Sequence, residues 1–247
     1  MYTGAVGGSY DKQANRLLQQ MSGKHTLSNE SGSLSILSKV DSDENGVGLS
    51  QLDALALYNS DNPSNDVKLL GVLNSECAMV IVNKDSNIED EDDLEVKGVK
   101  IGVGTKGSGA EATLHYMGKL DSDYANIEMV YDDPDLIIAQ LSGGVSDVDG
   151  FMYVSSPSLD NPYAKLVADP ANNLKFVALD DYDMNDKIDG KQVYTFQDVP
   201  VKEGLFSDHT VEAPCTKVAV VANKNNKDIG SVAKVIVRNR ASLTNLD

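Results

Sequence analysis

Apolar residues in this chain come in short runs parted by polar, glycine-rich turns, and their period changes from one run to the next. Lys12–Met21 places Ala14, Leu17, Leu18 and Met21 at helical spacing. His25–Glu30 and Val47–Leu49 predict short strands. Val67–Leu73, Ala78–Val82, Val99–Val103, Ile127–Tyr131, Val148–Val154, Leu174–Leu179 and Lys217–Ala222 predict further, buried ones. Between them lie helical patterns. One carries Leu34, Ile36, Leu37 and Val40 behind a Ser31-Gly32-Ser33 cap, and another carries Leu52, Leu55, Ala56 and Tyr58 behind Ser50. Ser108–Lys119, Pro134–Ser142 and Ile229–Leu243 complete the set. Strands alternating with helices predict an α/β fold of mostly parallel sheets with helices on both faces. Asp61–Asp66 and Asp85–Glu95 read as polar connections, and Asp180–Pro214 shows no clear period.

Charge narrows the partners. Acidic residues outnumber basic ones 38 to 21, a net charge of −17. Nucleic acid is excluded, because phosphate binding needs a basic face, and an anionic membrane surface is disfavoured on the same ground. The excess suits solubility and salty surroundings. No run of ~18 apolar residues predicts a membrane helix. The first ten residues, MYTGAVGGSY, contain no leader, and a chain that starts almost inside its first strand favours a removed export signal over a cytosolic protein. Trp is absent, which removes a Trp-walled sugar site. Cys77 and Cys215 stand outside any CxxC, so zinc and redox-motif readings lack support; a disulfide and two buried thiols both remain open.

The segment Val99–His115, VKIGVGTKGSGAEATLH, carries the strongest local signal. A strand, a glycine turn and a helix start aim several backbone N–H groups at one point, and the helix dipole adds partial positive charge, so the turn predicts an anion site. Gly102-x-Gly104-x-x-Gly107 also matches the dinucleotide fingerprint, with Asp132 after the next strand, so a nucleotide- or NAD-binding enzyme is the alternative. Gly7-Gly8-Ser9-Tyr10 makes a second candidate nest, and Ser28–Ser33 and Ser50-Gln51 supply hydroxyls at two more helix starts. All these turns fall at the carboxyl edge of the strands, where α/β proteins bind ligands. Asp41-x-Asp43-x-Asn45-Gly46 imitates a calcium loop, but Leu49 and Leu52 stand where ligands are needed, so no metal site is expected. His25, His115 and His209 are scattered and no G-x-S-x-G occurs, so no catalytic set is expected. The runs Glu89–Asp93 and Asp180–Asp186 read as solvated loops.

Six segments in order resemble one family: GAVGGSY, SNESGSLSIL, GVGLSQLDALALY, NSECAMVIVNKDSNIEDEDDL, VKIGVGTKGSGAEATL and VDGFMYVSSP. They are similar to the TAXI-type solute receptors of TRAP transporters, within the type II periplasmic binding-protein fold. The resemblance implies a two-lobed Venus flytrap, lobe I from 1–76 and 215–247, lobe II from 77–214, closing on a ligand held between them. It implies a monomeric periplasmic or extracytoplasmic receptor, not an enzyme and without cofactor, working with membrane transporter subunits on a small carboxylate or amino acid such as glutamate. Binding of an inorganic oxyanion such as phosphate is the alternative within the same fold. The ligand set it implies is Gly8, Ser9, Tyr10, Ser31, Gly32, Ser33, Ser50, Gln51, Glu76, Thr105, Gly107, Ser108, Phe151, Tyr153 and Ser155. Ser50, Thr105 and Ser108 would hold an oxyanion, Tyr10, Phe151 and Tyr153 would wall the apolar part, and Glu76 would pair with an amino group. The arginines, Arg16, Arg238 and Arg240, lie outside these loops, so helix ends and Lys106 would meet the anion charge. Both cysteines fall at the crossovers between lobes, which implies a Cys77–Cys215 disulfide.

Overall fold

The structure, a computed structural model, describes every residue except 22, 24, 186, 189–190, 204–207 and 245–247. The end of the predicted acidic run at Asp186 lies outside the described residues. The chain packs as two compact units. The first comprises Met1–Asn74, Gly107–Ala112 and Lys217–Asp247; the second comprises Ser75–Lys106 and Thr113–Thr216.

The first unit opens with β1 (Tyr2–Thr3), α1 (Ser9–Gln20), β2 (Ser28–Asn29), α2 (Ser33–Ser42), β3 (Val47–Gln51) and α3 (Leu52–Asp61). Strand β4 (Val67–Asn83) then leads into the second unit, which adds α4 (Glu91–Leu94), β5 (Lys100–Gly102) and most of α5 (Gly109–Leu120), whose start, through Ala112, belongs to the first unit. There follow β6 (Glu128–Val130), α6 (Pro134–Ser142), β7 (Gly150–Ser155), α7 (Pro162–Ala168), β8 (Leu174–Val177), β9 (Lys187–Ile188), β10 (Lys191–Gln192) and β11 (Thr195–Lys202). Strand β12 (His209–Asn223) returns the chain to the first unit, where α8 (Ile229–Thr244) closes it. Among the described residues, no helix is long and apolar enough to cross a membrane.

Pairing is mixed within each unit. In the first, β2, β1 and β3 run parallel, and residues Val218–Ala222 of β12 join β3 antiparallel. In the second, β7, β5 and β6 run parallel, β4 pairs antiparallel with β7 and β8, and β11 lies antiparallel on the first half of β12. Strand β3 is buried along its whole length, so its two faces hold different helices. Val47 and Leu49 pack with Ala14 and Leu17 of α1 and Val232 and Ile236 of α8. On the other face Gly48 lets α2 in close: a Cβ there would lie 2.7 Å from Ile36 Cγ2. In the second unit Phe151, Tyr153, Ile137, Ile138, Leu141 and Met79 share a core.

Three elements differ from the sequence reading. The two strands expected at Val67–Leu73 and Ala78–Val82 are one strand, β4, unbroken through Asn74, Ser75 and Glu76. Polar side chains do not interrupt a strand when each finds a partner, and the Gln13 amide donates to Asn74 while the Gln197 amide donates to Ser75 Oγ at 3.2 Å. The segment left without a period, Asp180–Pro214, contains β11 and the start of β12. Ser50 does not cap α3: the cap position is Gln51, the last residue of β3, and Ser50 lies within the strand.

Cys77 and Cys215 form a disulfide, as the family resemblance implied, and both are buried. It joins β4 to β12 inside the second unit, close to the first and last points where the chain passes between units, after Asn74 and after Thr216.

Candidate functional site

In the first unit each of α1, α2 and α3 follows directly on a strand, which places their N-termini at the carboxyl edge of β1, β2 and β3. Helices α6 and α7, in the second unit, begin with side-chain caps: Asp133 accepts from Asp135 N at 2.9 Å and Asn161 from Tyr163 N at 2.8 Å. The N-cap positions of α1, α2 and α3 are Gly8, Gly32 and Gln51, and none supplies a side-chain cap. The expected serine caps are absent because the serines turn toward one another. Ser33 Oγ donates to Gln51 Oε1 at 3.0 Å and receives the Gln51 N–H at 3.3 Å. Ser50 Oγ leans on the Ser33 carbonyl at 3.4 Å. All three side chains are buried. The beginnings of α2 and α3 are therefore linked by a small, dry, polar cluster.

Segment Gly107–Ala112 packs against this cluster within the same unit. The Gly107 carbonyl accepts from Leu34 N at 3.3 Å. A Cβ on Gly32 would come 2.6 Å from Gly107 O and from Ser108 Cα, so only glycine fits there. A Cβ on Gly109 would overlap the Gln51 amide. Ser31, Gly32, Ser33, Ser50, Gln51, Gly107 and Ser108 thus come together. Glu30, outside the predicted set, stands beside them, accepting from Ser28 Oγ at 3.0 Å and Ser35 Oγ at 3.3 Å.

The two glycine turns read as anion nests hold the chain's own carboxylates. Gly107 has φ +85, and its N–H donates to Glu111 Oε2 at 2.5 Å, while Glu111 N donates to Ser108 Oγ at 3.0 Å. Ser108-x-x-Glu111 is a capping-box sequence at the start of α5, with the glutamate reaching one residue further back than usual. Gly7 repeats the arrangement at α1: its φ is +80 and its N–H donates to Asp11 Oδ2 at 3.0 Å. That bond, then the Asn29 amide, holds the Asp11 carboxyl below the usual range. In both turns an acid in the first helical turn occupies the place proposed for a ligand oxyanion. Ser108 Oγ thus caps α5 and the Gly107 amide serves Glu111, contacts with which a ligand held by Ser108 and the amides beside it would compete. A nucleotide pyrophosphate at this loop would meet the same carboxylate. The three glycines of the fingerprint have local reasons to be there. Gly102 lets α6 approach, a Cβ lying 2.8 Å from Ile137 Cδ1, and Gly104 and Gly107 adopt positive φ.

The remaining predicted residues are spread over both units. Gly8 and Ser9 begin α1, the Gly8 N–H closing a turn onto Ala5 O at 3.0 Å. Tyr10 packs beside Gly4 and the first core. In the second unit Glu76 is buried in β4 and Thr105 is exposed. Phe151 and Tyr153 were expected to wall a ligand; instead their rings stack at 6.3 Å and meet Tyr163 at 5.4 and 4.7 Å inside the core. Burial, and then Tyr163, raises the Tyr153 phenol above its ordinary pKa. Ser155 accepts from Asn161 Nδ2 at 2.7 Å. A groove of about 700 Å³ in the same unit, lined by Asn83, Asp85, Lys97, Asp149 and Asn173 among others, contains none of the predicted residues. It opens where β5 and β7 begin, at the edge opposite the carboxyl ends. His25, His115 and His209 are exposed. In the calcium-like loop, Asp41 accepts from Asp66 N at 2.6 Å and Tyr58 OH at 2.9 Å, and Asp43 from Asn45 N at 3.0 Å, so its carboxylates serve the turn.

No protein-family model and no curated protein matches the chain. Solved structures do. The substrate-binding protein of an amino acid ABC transporter is 15% identical over 97% of this chain and 87% of its own, with TM-score 0.57. The arginine-, lysine-, histidine-binding protein ArtJ from the thermophilic bacterium Geobacillus stearothermophilus is 15% identical over 95% and 80%, with TM-score 0.57. The GluR0 ligand-binding core in complex with L-glutamate is 11% identical over 99% and 93%, with TM-score 0.59. This likeness establishes the fold: mixed α/β, of the two-lobed type II periplasmic solute-binding proteins. The first two neighbours are described as binding proteins.

Proposed function

We propose that this chain is a non-catalytic, extracytoplasmic solute receptor whose ligand is a small carboxylate or an amino acid such as glutamate. The observation that carries the reading is the pair of helix starts, α2 and α3, that lack cap side chains and are joined through Ser33, Ser50 and Gln51. Helix N-termini without a cap side chain favour an anion through their N–H groups and dipoles. With Asp11 and Glu111 on the glycine turns, α2 and α3 are the places in the first unit where a ligand carboxylate is best received. Acids beside that place, Glu30 and Glu111, suit an ammonium group on the same ligand. Neighbours of the same fold include proteins described as binding amino acids, which agrees with a zwitterionic ligand.

The finer reading rests on the sequence resemblance: a TAXI-type receptor delivering its solute to TRAP transporter subunits, acting as a monomer in the periplasm, with lobes divided at 76/77 and 214/215. Glu76 of lobe I and Thr105 and Ser155 of lobe II remain expected contacts. A thermal-shift screen of amino acids, dicarboxylates and inorganic oxyanions tests the function. A true ligand at 100 times its Kd adds about 2.7 kcal/mol of stability, rising logarithmically thereafter. Ser33→Ala should abolish that response, and should also lower the melt without ligand by about 1–3 kcal/mol because it leaves the buried Gln51 N–H and Oε1 without this partner. No response across the whole screen, or one that Ser33→Ala leaves intact, overturns the assignment; a response to oxyanions alone replaces the amino acid.

A further inference from the structure

We propose that Glu95, Asp121, Asp123, Asp181 and Asp183 form a calcium-binding site in the second unit, lined on its inner side by the Tyr124 hydroxyl. Three separate stretches build it. Glu95 ends α4, Asp121 and Asp123 follow α5, and Asp181 and Asp183 flank Tyr182 in the 3-10 turn after β8. Carboxylate oxygens of Glu95, Asp121 and Asp123 all lie within 4.8 Å of one another, and so do those of Asp121, Asp181 and Asp183. Asp121 belongs to both sets, so the five acids are one cluster.

Clustered surface acids alone would signify little in so acidic a chain. Tyr124 supplies an independent observation. Its side chain is 1% exposed, and its hydroxyl is buried without a hydrogen-bond partner. The carboxylates acting on that hydroxyl are Asp181, Glu95, Glu91 and Asp121, so it faces the cluster. Asp181 Oδ2 is buried without a partner as well. A buried polar atom left unpaired costs about 1–3 kcal/mol, and two beside one acidic cluster need a common cause. A cation with its bound waters provides one, because it takes carboxylate oxygens as ligands and its waters reach the hydroxyl.

The turns also prepare the donors. Asp121 Oδ1 accepts from Asp123 N and Asp181 Oδ1 from Asp183 N, both at 2.9 Å, which fixes each aspartate with its other oxygen available. All the donors are hard oxygens, which selects an alkaline-earth ion over zinc or copper. Several protein carboxylates converging on one point suit Ca²⁺, which takes many oxygen ligands in a flexible geometry, better than Mg²⁺, which keeps most of its waters and binds through one or two carboxylates. Crowding of like charge accords with this: burial, then Asp121, Asp181 and Asp123, pushes Glu95 up to about 7.

The test uses the whole chain, stripped with EDTA and titrated calorimetrically with calcium chloride alone, beside melts in calcium, magnesium and potassium chloride at matched ionic strength. The expected result is saturable uptake of one ion, calcium at least tenfold tighter than magnesium, and a melting temperature raised beyond the potassium effect. Asp121→Asn and Asp181→Asn should each weaken uptake at least tenfold while raising the melting temperature of the stripped protein, because each relieves repulsion. Tyr124→Phe should weaken uptake and still fold, and exposed Asp147→Asn should change nothing. Absence of saturable uptake, uptake indifferent to Asp121→Asn and Asp181→Asn, or equal stabilisation by potassium overturns the site, and equal affinity for magnesium overturns its assignment to calcium.

Discussion

Removing the Cys77–Cys215 bond should cost more than any single core truncation in the second unit. The cysteines are 138 positions apart, so the bond closes most of the second unit into one loop in the unfolded chain. Loop-closure entropy for that separation gives about 5 kcal/mol of stabilisation. In the native state the linked strands are independently held: Cys77 pairs with Ser155 on β7 and Cys215 with Thr195 on β11, so reduction should leave the fold intact and act on the unfolded state. With unfolding entropy of about 2.1 cal/mol/K per residue, 247 residues give about 0.5 kcal/mol/K, and 5 kcal/mol becomes about 10 °C. The assay compares melts of oxidised protein, protein reduced under denaturing conditions and refolded in reductant, and the Cys77→Ala/Cys215→Ala double variant. Reduced protein keeps both sulfurs, so it isolates the cross-link; the alanine pair adds the cavity, about 1 kcal/mol per site. Thiol titration of native, unreduced protein should find none free. A fall of less than about 2 °C on reduction would refute the reasoning, because the unfolded chain would then already hold these segments together.

Further outcomes follow from other positions. Gly32→Ala drives a Cβ to 2.6 Å from the backbone of Gly107 and Ser108, so 107–112 must shift; melts should show a loss of about 1–3 kcal/mol and calorimetry the loss of amino-acid binding, whereas unchanged binding would separate that segment from the site. Glu91 is pushed up to about 7, first by burial and then by Asp180, which shares a hydrogen bond with it, and by Asp90. Its folded pKa lies above its unfolded value, so its contribution is fully present below pH ~4.5 and lost as pH rises through ~7. Glu91→Gln should flatten that part of the stability–pH profile, by under about 1 kcal/mol because the group is partly solvated; a profile as steep as the parent's would contradict it. The net charge of −17 predicts a melting temperature that climbs with potassium chloride between about 0.1 and 1 M, as the screening length shrinks from about 10 to 3 Å; a flat response would show that repulsion is already neutralised locally.

Much of the fold was legible because burial writes its period into the sequence. Val218, Val220 and Ala222 face α1 and α8, and their alternation is plain. Elements failed to show where partners, not apolarity, sustain them. Asn74 and Ser75 look like a break in β4, yet the strand continues because Gln13 and Gln197 satisfy them from 61 and 122 positions away. Phe151 and Tyr153 show a related effect: a strand's inward face and a ligand wall have the same composition, and Tyr163, whose ring packs on both, comes from helix α7, outside the strand's own pattern.

The acids divide along the same line. Asp11 and Glu111 each act on a glycine amide four positions back, so both closures were readable as a glycine turn followed by an acid in the first helical turn. Reading the glycines without the acids made two anion sites of turns that are internally neutralised. Glu95, Asp121 and Asp181 are 26 and 60 positions apart in succession, and their meeting depends on how α4, α5 and the turn after β8 pack. Glu95 lies in the stretch read as a polar connection and Asp181 in one read as a solvated loop, while Asp121 follows the predicted helix Ser108–Lys119. Sequence distance therefore determines which charges could be assigned beforehand. Short-range acids remove candidate anion sites at α1 and α5, long-range acids create a candidate cation site, and the helix starts proposed for a ligand's carboxylate are those of α2 and α3, where the cap positions hold glycine and glutamine and Asp53 takes one N–H, that of Ala54, in the first turn of α3.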